Sequence, residues 1–169
     1  MLTIKKFILT DETIEYFDRT LHRIKAVRSF GNIEEGELGG FVEKAHNVSN
    51  NHEAWVYGNA IVCDNAIVCD NATVYDHAMV CGNAMVRGYA MVRGNAKVCN
   101  NYDYIVFKNW WSSGRHFTWT RSNNMWSVGC FYGTGEELIK KALQDSEENG
   151  REYKRVVKYV QSILEDKKQ

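Results

Sequence analysis

The chain has 169 residues, 44% of them hydrophobic, with 21 basic and 21 acidic side chains that cancel to a formal net charge of zero. That length makes one domain or two small ones, and that apolar content is enough for a real core. Zero net charge argues against broad attachment to duplex nucleic acid or to an anionic membrane, and no apolar run reaches the length of a membrane span.

The opening MLTIKKFILT has too short an apolar stretch for a secretory signal, so the chain reads as cytosolic. Residues 1–53 form an entry segment. TIKKFIL reads as a strand, TDET as a turn and TLHRIKAVRSF as a second strand. In GNIEEGELGGFVEKAHNV, Val42 and Val48 are six apart and look like an imperfect first rung. The register then slips by two residues before Val56. A repeat array needs its open end covered, and 1–53 serves as that cap.

Residues 54–101 repeat every six residues, eight times without a gap: AWVYGN, AIVCDN, AIVCDN, ATVYDH, AMVCGN, AMVRGY, AMVRGN, AKVCNN. Ala opens every unit and Val holds every third place. Residues two apart in a strand share a face, so Ala and Val point inward and the residue between them points out. Val favours the pleated backbone, and the Gly, Asp or Asn at the fifth place tolerates a bend. Each unit is a very short strand and a turn, and only stacking of turn on turn buries the Val and Ala columns. The outward second-place residues are Trp55, Ile61, Ile67, Thr73, Met79, Met85, Met91 and Lys97. So many apolar side chains call for cover, by self-association or by the chain's own helices.

Residues 102–169 differ in kind. IVFKNWW, HFTWTR and MWSVGCF, separated by SSGR and SNN, read as a small antiparallel sheet. Thr134 and Glu137 form a capping box that opens a helix, GEELIKKALQDS, which ENG stops. A second helix spans about 151–165, with Val156, Val157, Val160, Ile163 and Leu164 on one face.

The repeat resembles the hexapeptide repeat of left-handed parallel β-helices. That resemblance implies three units per coil, with residues 18 apart stacked, and a homo-oligomer built about a three-fold axis. Cys63, Cys81 and Cys99 then form a ladder of small outward thiols, half-covered by a neighbouring surface. No CxxC pair occurs, so no metal site is expected. The whole chain also resembles small hexapeptide-repeat proteins of phage and prophage genomes, through TLHRIKA, GELGGFVE, AWVYGNA and GCFYGTGEEL. The expected fold is mainly β: a left-handed parallel β-helix with an N-terminal β cap and a C-terminal α+β domain ending in two helices.

For function, many β-helices of this kind are trimeric acyltransferases that use a His base. His77, His46, His52 and His116 are the candidates, and none has an acidic partner fixed by the sequence. The stretch 110–132 mixes Trp, Phe and Tyr with Arg, which suits a nucleotide: aromatics stack on bases and Arg pairs with phosphate in a fork. The coil's charges are sorted along its axis, with Asp64, Asp70 and Asp76 early and Arg87, Arg93 and Lys97 late, next to the aromatic segment. The expected donors are Arg87, Arg93, Arg115 and Arg121, with His116 or Trp111 as the stacking surface. The preferred reading is a non-catalytic phage accessory protein that sequesters a small anionic ligand, such as a nucleotide signal of host defence, without a cofactor. A trimeric acyltransferase and a purely structural oligomer are the alternatives.

Overall fold

The structure, a computed structural model, describes residues 4–167. Strands β1 (Phe7–Tyr16) and β2 (Arg19–Ala26) form an antiparallel hairpin, and β2 pairs with β3 (Leu38–Val42). The repeats then supply eight two-residue strands: β4 (Trp55–Val56), β5 (Ile61–Val62), β6 (Ile67–Val68), β7 (Thr73–Val74), β8 (Met79–Val80), β9 (Met85–Val86), β10 (Met91–Val92) and β11 (Lys97–Val98). They stack in parallel on three faces: β3-β5-β8-β11, β6-β9 and β4-β7-β10. Val62 pairs with Val80, Val68 with Val86 and Val74 with Val92, each 18 residues on. This is a parallel β-helix, as the repeat requires.

In the first rung, Val42 pairs with Val62 and Val48 with Val68, each 20 residues apart, whereas Val56 pairs with Val74 at 18. The two extra residues therefore lie between Val48 and Val56, where His52 takes a φ of +56°. Inside the coil every Val from Val42 to Val98 in the repeat register is at most 1% exposed. Full burial of each Val contributes about 1.5–3 kcal/mol.

The turns show why the acidic residues come early. Asp64, Asp70 and Asp76 adopt positive φ, and so do Gly82, Gly88 and Gly94 one coil later. Each Asp carboxylate accepts the backbone N–H of the Gly stacked on it, at 2.9, 3.0 and 2.9 Å. The axial sorting of charge is in this respect a ladder of turn bridges.

Parallel stacking leaves one end of the coil with free carbonyls and the other with free N–H groups, because each coil donates to the next, as from Ile61 N to Ala78 O at 2.9 Å. Cationic and amide side chains cap the carbonyl end. Lys6 Nζ donates to Ala54 O at 2.7 Å and His52 O at 3.3 Å, Arg23 Nη1 to Gly39 O and Gly58 O, and Asn47 Nδ2 to Ala66 O at 2.8 Å. Side-chain oxygens cap the N–H end. Asn101, Thr118, Ser122 and Asp103 accept from Met85, Met91, Lys97 and Cys99 at 2.7–2.9 Å.

Those capping oxygens belong to, or adjoin, the C-terminal sheet of β12 (Tyr104–Lys108), β13 (His116–Thr120), β14 (Met125–Val128) and β15 (Phe131–Gly133). Helices α1 (Gly135–Asp145) and α2 (Glu147–Asp166) pack on it through Leu138, Ala142, Tyr153, Val157 and Val160. No helix among the described residues is long and apolar enough to cross a membrane.

Four local expectations are corrected. TDET is not a turn: β1 runs through it with a bulge between Leu9 and Thr13, and the chain reverses at Phe17 and Asp18. ENG does not end a helix. Ser146 caps α2 by accepting Asn149 N, and Gly150 lies inside α2 because a Cβ there would come 2.2 Å from Leu143. The outward apolar residues of one face are covered by the β1–β2 hairpin, not by the helices: Leu21, Ile14 and Tyr16 lie over Ile61, Met79 and the cysteine ladder. In that ladder the thiols do not all stay free. Cys81 and Cys99, with Cα atoms 4.4 Å apart, form a disulfide, and Cys63 remains a buried thiol.

Candidate functional site

The face β4-β7-β10 carries a cleft of about 280 Å³. Its floor is Thr73 and Met91, second-place residues one coil apart. At the carbonyl end the equivalent residue, Trp55, is fully buried beneath Phe7 and Phe30 and closes the floor.

Two columns at the 18-residue spacing make the walls. On one side Tyr57 and Tyr75 stack face to face, with ring centroids 4.3 Å apart and planes 5° apart. Arg93 continues this column, its guanidinium 5.6 Å from the Tyr75 ring and 5.5 Å from Tyr132 of β15. On the other side run Glu53, Asn71 and Tyr89. The Tyr89 ring stacks on His116, with centroids 4.4 Å apart and planes 11° apart. The loop Phe30–Ile33 closes one end of the cleft, and Arg115, His116 and Gly129 close the other.

The electrostatics are unlike at the two ends. Glu53 brings a carboxylate to the first, and Arg115 a guanidinium to the second. Between them the walls present hydroxyl and amide groups. Burial, and next the neighbouring Tyr75, push the Tyr57 phenol well above its ordinary pKa, so it stays a neutral donor and acceptor. Burial likewise raises Tyr132. The Arg93 Nε is buried without a hydrogen-bond partner, and its nearest carboxylate oxygen, on Asp76, is 3.9 Å away.

Of the six residues expected at a site, Arg115 and His116 line this cleft, and Arg93 stands outside its lining, against the rings of Tyr75 and Tyr132. Trp111, Arg121 and Arg87 lie farther off. Trp111 packs into the C-terminal core, edge-on to Tyr153 at 5.1 Å and Phe117 at 6.2 Å, with its Nε1 donating to Asn149. The neighbouring Trp110 is the exposed one, at 79%. Arg121 stands at the opposite end of β13 from Arg115, beside Tyr102 and Lys167. Arg87 is exposed on the β6-β9 face, its backbone N–H on the Tyr104 hydroxyl. His116 offers no free ring face on the side Tyr89 covers, so it borders the cleft as a hydrogen-bonding group.

The sequence reading passed over Glu53, Tyr57, Asn71, Tyr75 and Tyr89. The signal that finds them is the 18-residue stacking that aligns the cysteines: 57, 75 and 93 form one column, and 53, 71 and 89 another. As for His candidates for catalysis, His77 is exposed at a coil corner with its N–H on Gly94 O, and His46 and His52 are exposed in the first rung. The chain matches no protein-family model and no curated protein.

Proposed function

We propose that this is a non-catalytic binding protein that holds a small anionic ligand of nucleotide type in the cleft between its two caps. The observation that carries the reading is the convergence of two polar, aromatic columns on Arg115 and His116, with Arg93 alongside. A guanidinium pairs with phosphate oxygens in a fork, and tyrosine and asparagine rims serve a sugar and a base edge. Nothing in the cleft is arranged as a base and its orienting acid. The His116 ring stacks on Tyr89, which sets its orientation at the cleft. In a phage setting, which the whole-chain resemblance suggests, such a protein acts by stoichiometric sequestration of a nucleotide signal of host defence.

Titration calorimetry against linear and cyclic nucleotides tests this. A charge-assisted hydrogen bond is typically worth about 1.5–3 kcal/mol. Arg115→Ala should therefore weaken binding roughly ten-fold or more. Arg87→Ala and Arg121→Ala, which lie away from the cleft, should leave affinity unchanged. Failure of the wild type to bind any nucleotide removes the reading.

A second reading is a structural oligomer, favoured by the β6-β9 face. There Met85 is 37% exposed beside the half-buried Ile67, and Tyr104 of β12 reaches its edge, donating to Met85 O. We propose self-association through that face, as a trimer, in either case.

A further inference from the structure

We infer that Glu53 reads the base of the ligand and that the cleft selects a guanine mononucleotide. This deepens the nucleotide reading above and rests on it.

Glu53 is placed by the coil and not by a loose loop. Its N–H donates to Asp70 O at 3.0 Å, which sets it in column with Asn71 and Tyr89. Its carboxylate lies beside Gly31. Gly31 has a φ of +51°, and a Cβ there would lie 2.9 Å from Glu53 Oε2. The exposed Glu53 carboxylate thus lies at the end of the cleft that Phe30 and Tyr57 also line.

The length of the cleft limits the ligand. From Glu53 to Tyr89 is two strand spacings of about 4.8 Å each. The Tyr89–His116 stack adds 4.4 Å. Counted along the column from residue to residue, Glu53 and His116 are thus roughly 14 Å apart, and a hydrogen bond of about 3 Å at each end leaves roughly 8 Å for the ligand. That is the reach of one nucleoside monophosphate from base edge to phosphate, and it is too short for a dinucleotide laid end to end. The cleft volume of about 280 Å³ agrees, being at the small end for ligand pockets.

A carboxylate only accepts hydrogen bonds, so the group it meets must donate. Guanine carries N1–H and N2–H side by side on one edge, a pair that matches both carboxylate oxygens. Adenine sets an acceptor, N1, beside its amino group, and that lone pair faces the carboxylate unfavourably. With the base edge at Glu53, the phosphate falls at Arg115 and His116, whose donors suit it.

The test is calorimetric titration of wild type, Glu53→Ala and Arg115→Ala with GMP, IMP, AMP and inorganic phosphate, with thermal melts to confirm folding. The expected result is GMP ten-fold or more tighter than AMP on wild type, with IMP, which lacks the 2-amino group, between them. Glu53→Ala should erase that preference by weakening GMP and leave phosphate affinity unchanged. Arg115→Ala should weaken all four. Equal affinity of the wild type for GMP and AMP, or a preference that survives Glu53→Ala, overturns the inference while leaving the nucleotide reading intact. A wild type that binds no nucleotide overturns both.

Discussion

Lys6 sits fully buried under the Phe30 ring, with its ammonium on the carbonyls of Ala54 and His52. Its pKa falls from the ordinary 10.5 to about 8, mainly through burial and next through the nearby Arg28, against a smaller opposing pull from Glu53. The neutral amine still has two N–H groups for its two carbonyls, so deprotonation removes a buried charge without losing a bond. Between pH 8 and 10.5 the unfolded chain holds the proton and the folded chain sheds it, so stability from this group rises with pH in that window. Below pH 8 both states are charged and the contribution is flat. The slope cannot exceed about 1.4 kcal/mol per pH unit for one proton. Urea unfolding of wild type and Lys6→Met at pH 7.5 and 9.5 checks this. The stability difference should move in favour of wild type at the higher pH, and a difference that does not change with pH refutes it.

At the scale of elements, helix α1 opens on a reciprocal cap. Thr134 Oγ1 accepts Glu137 N at 3.3 Å, and Glu137 Oε2 accepts Thr134 N at 2.8 Å. That second bond holds the Glu137 carboxyl below its ordinary pKa. Thr134→Ala should cost on the order of 1 kcal/mol in chemical denaturation, and an unchanged midpoint means that the cap contributes nothing. This cap was legible in the sequence because its parts lie three residues apart. The coil was legible for the same reason: a six-residue period states which side chains go inward, and Val and Ala obey it throughout. Failures came where a distant contact overrides a local preference. Gly150 looks like a helix stop, yet it serves as the close approach of α2 to Leu143. TDET looks like a turn, yet a bulge carries β1 through it. The cleft was half legible. Its walls follow from 18-residue arithmetic, but its ends join Phe30–Ile33 to Arg115 and His116, and no spacing rule relates a cap loop to a strand beyond the coil.

At the scale of the whole molecule, the three faces of the coil have three different fates. The β1–β2 hairpin seals the first, fastened by Arg19 to Asp64 and Glu43. The cleft occupies the second. The third, β6-β9, presents the exposed Met85 and the half-buried Ile67, with Cys69 and Arg87 beside them at the fourth place and Tyr104 of β12 at its edge. Three copies set about a three-fold axis can turn this face toward the axis and bury its aligned apolar side chains together. Ile67→Glu with Met85→Glu places two carboxylates in that face, one above the other, and repulsion adds to the loss of apolar contact. The double variant should therefore fall to the mass of one chain by light scattering, where the wild type is expected at three. Because the cleft lies on another face, its affinity for a nucleotide should survive in the single chain. A double variant that keeps the wild-type mass excludes this face as the interface, and loss of binding together with loss of assembly would place the site across two copies instead of within one.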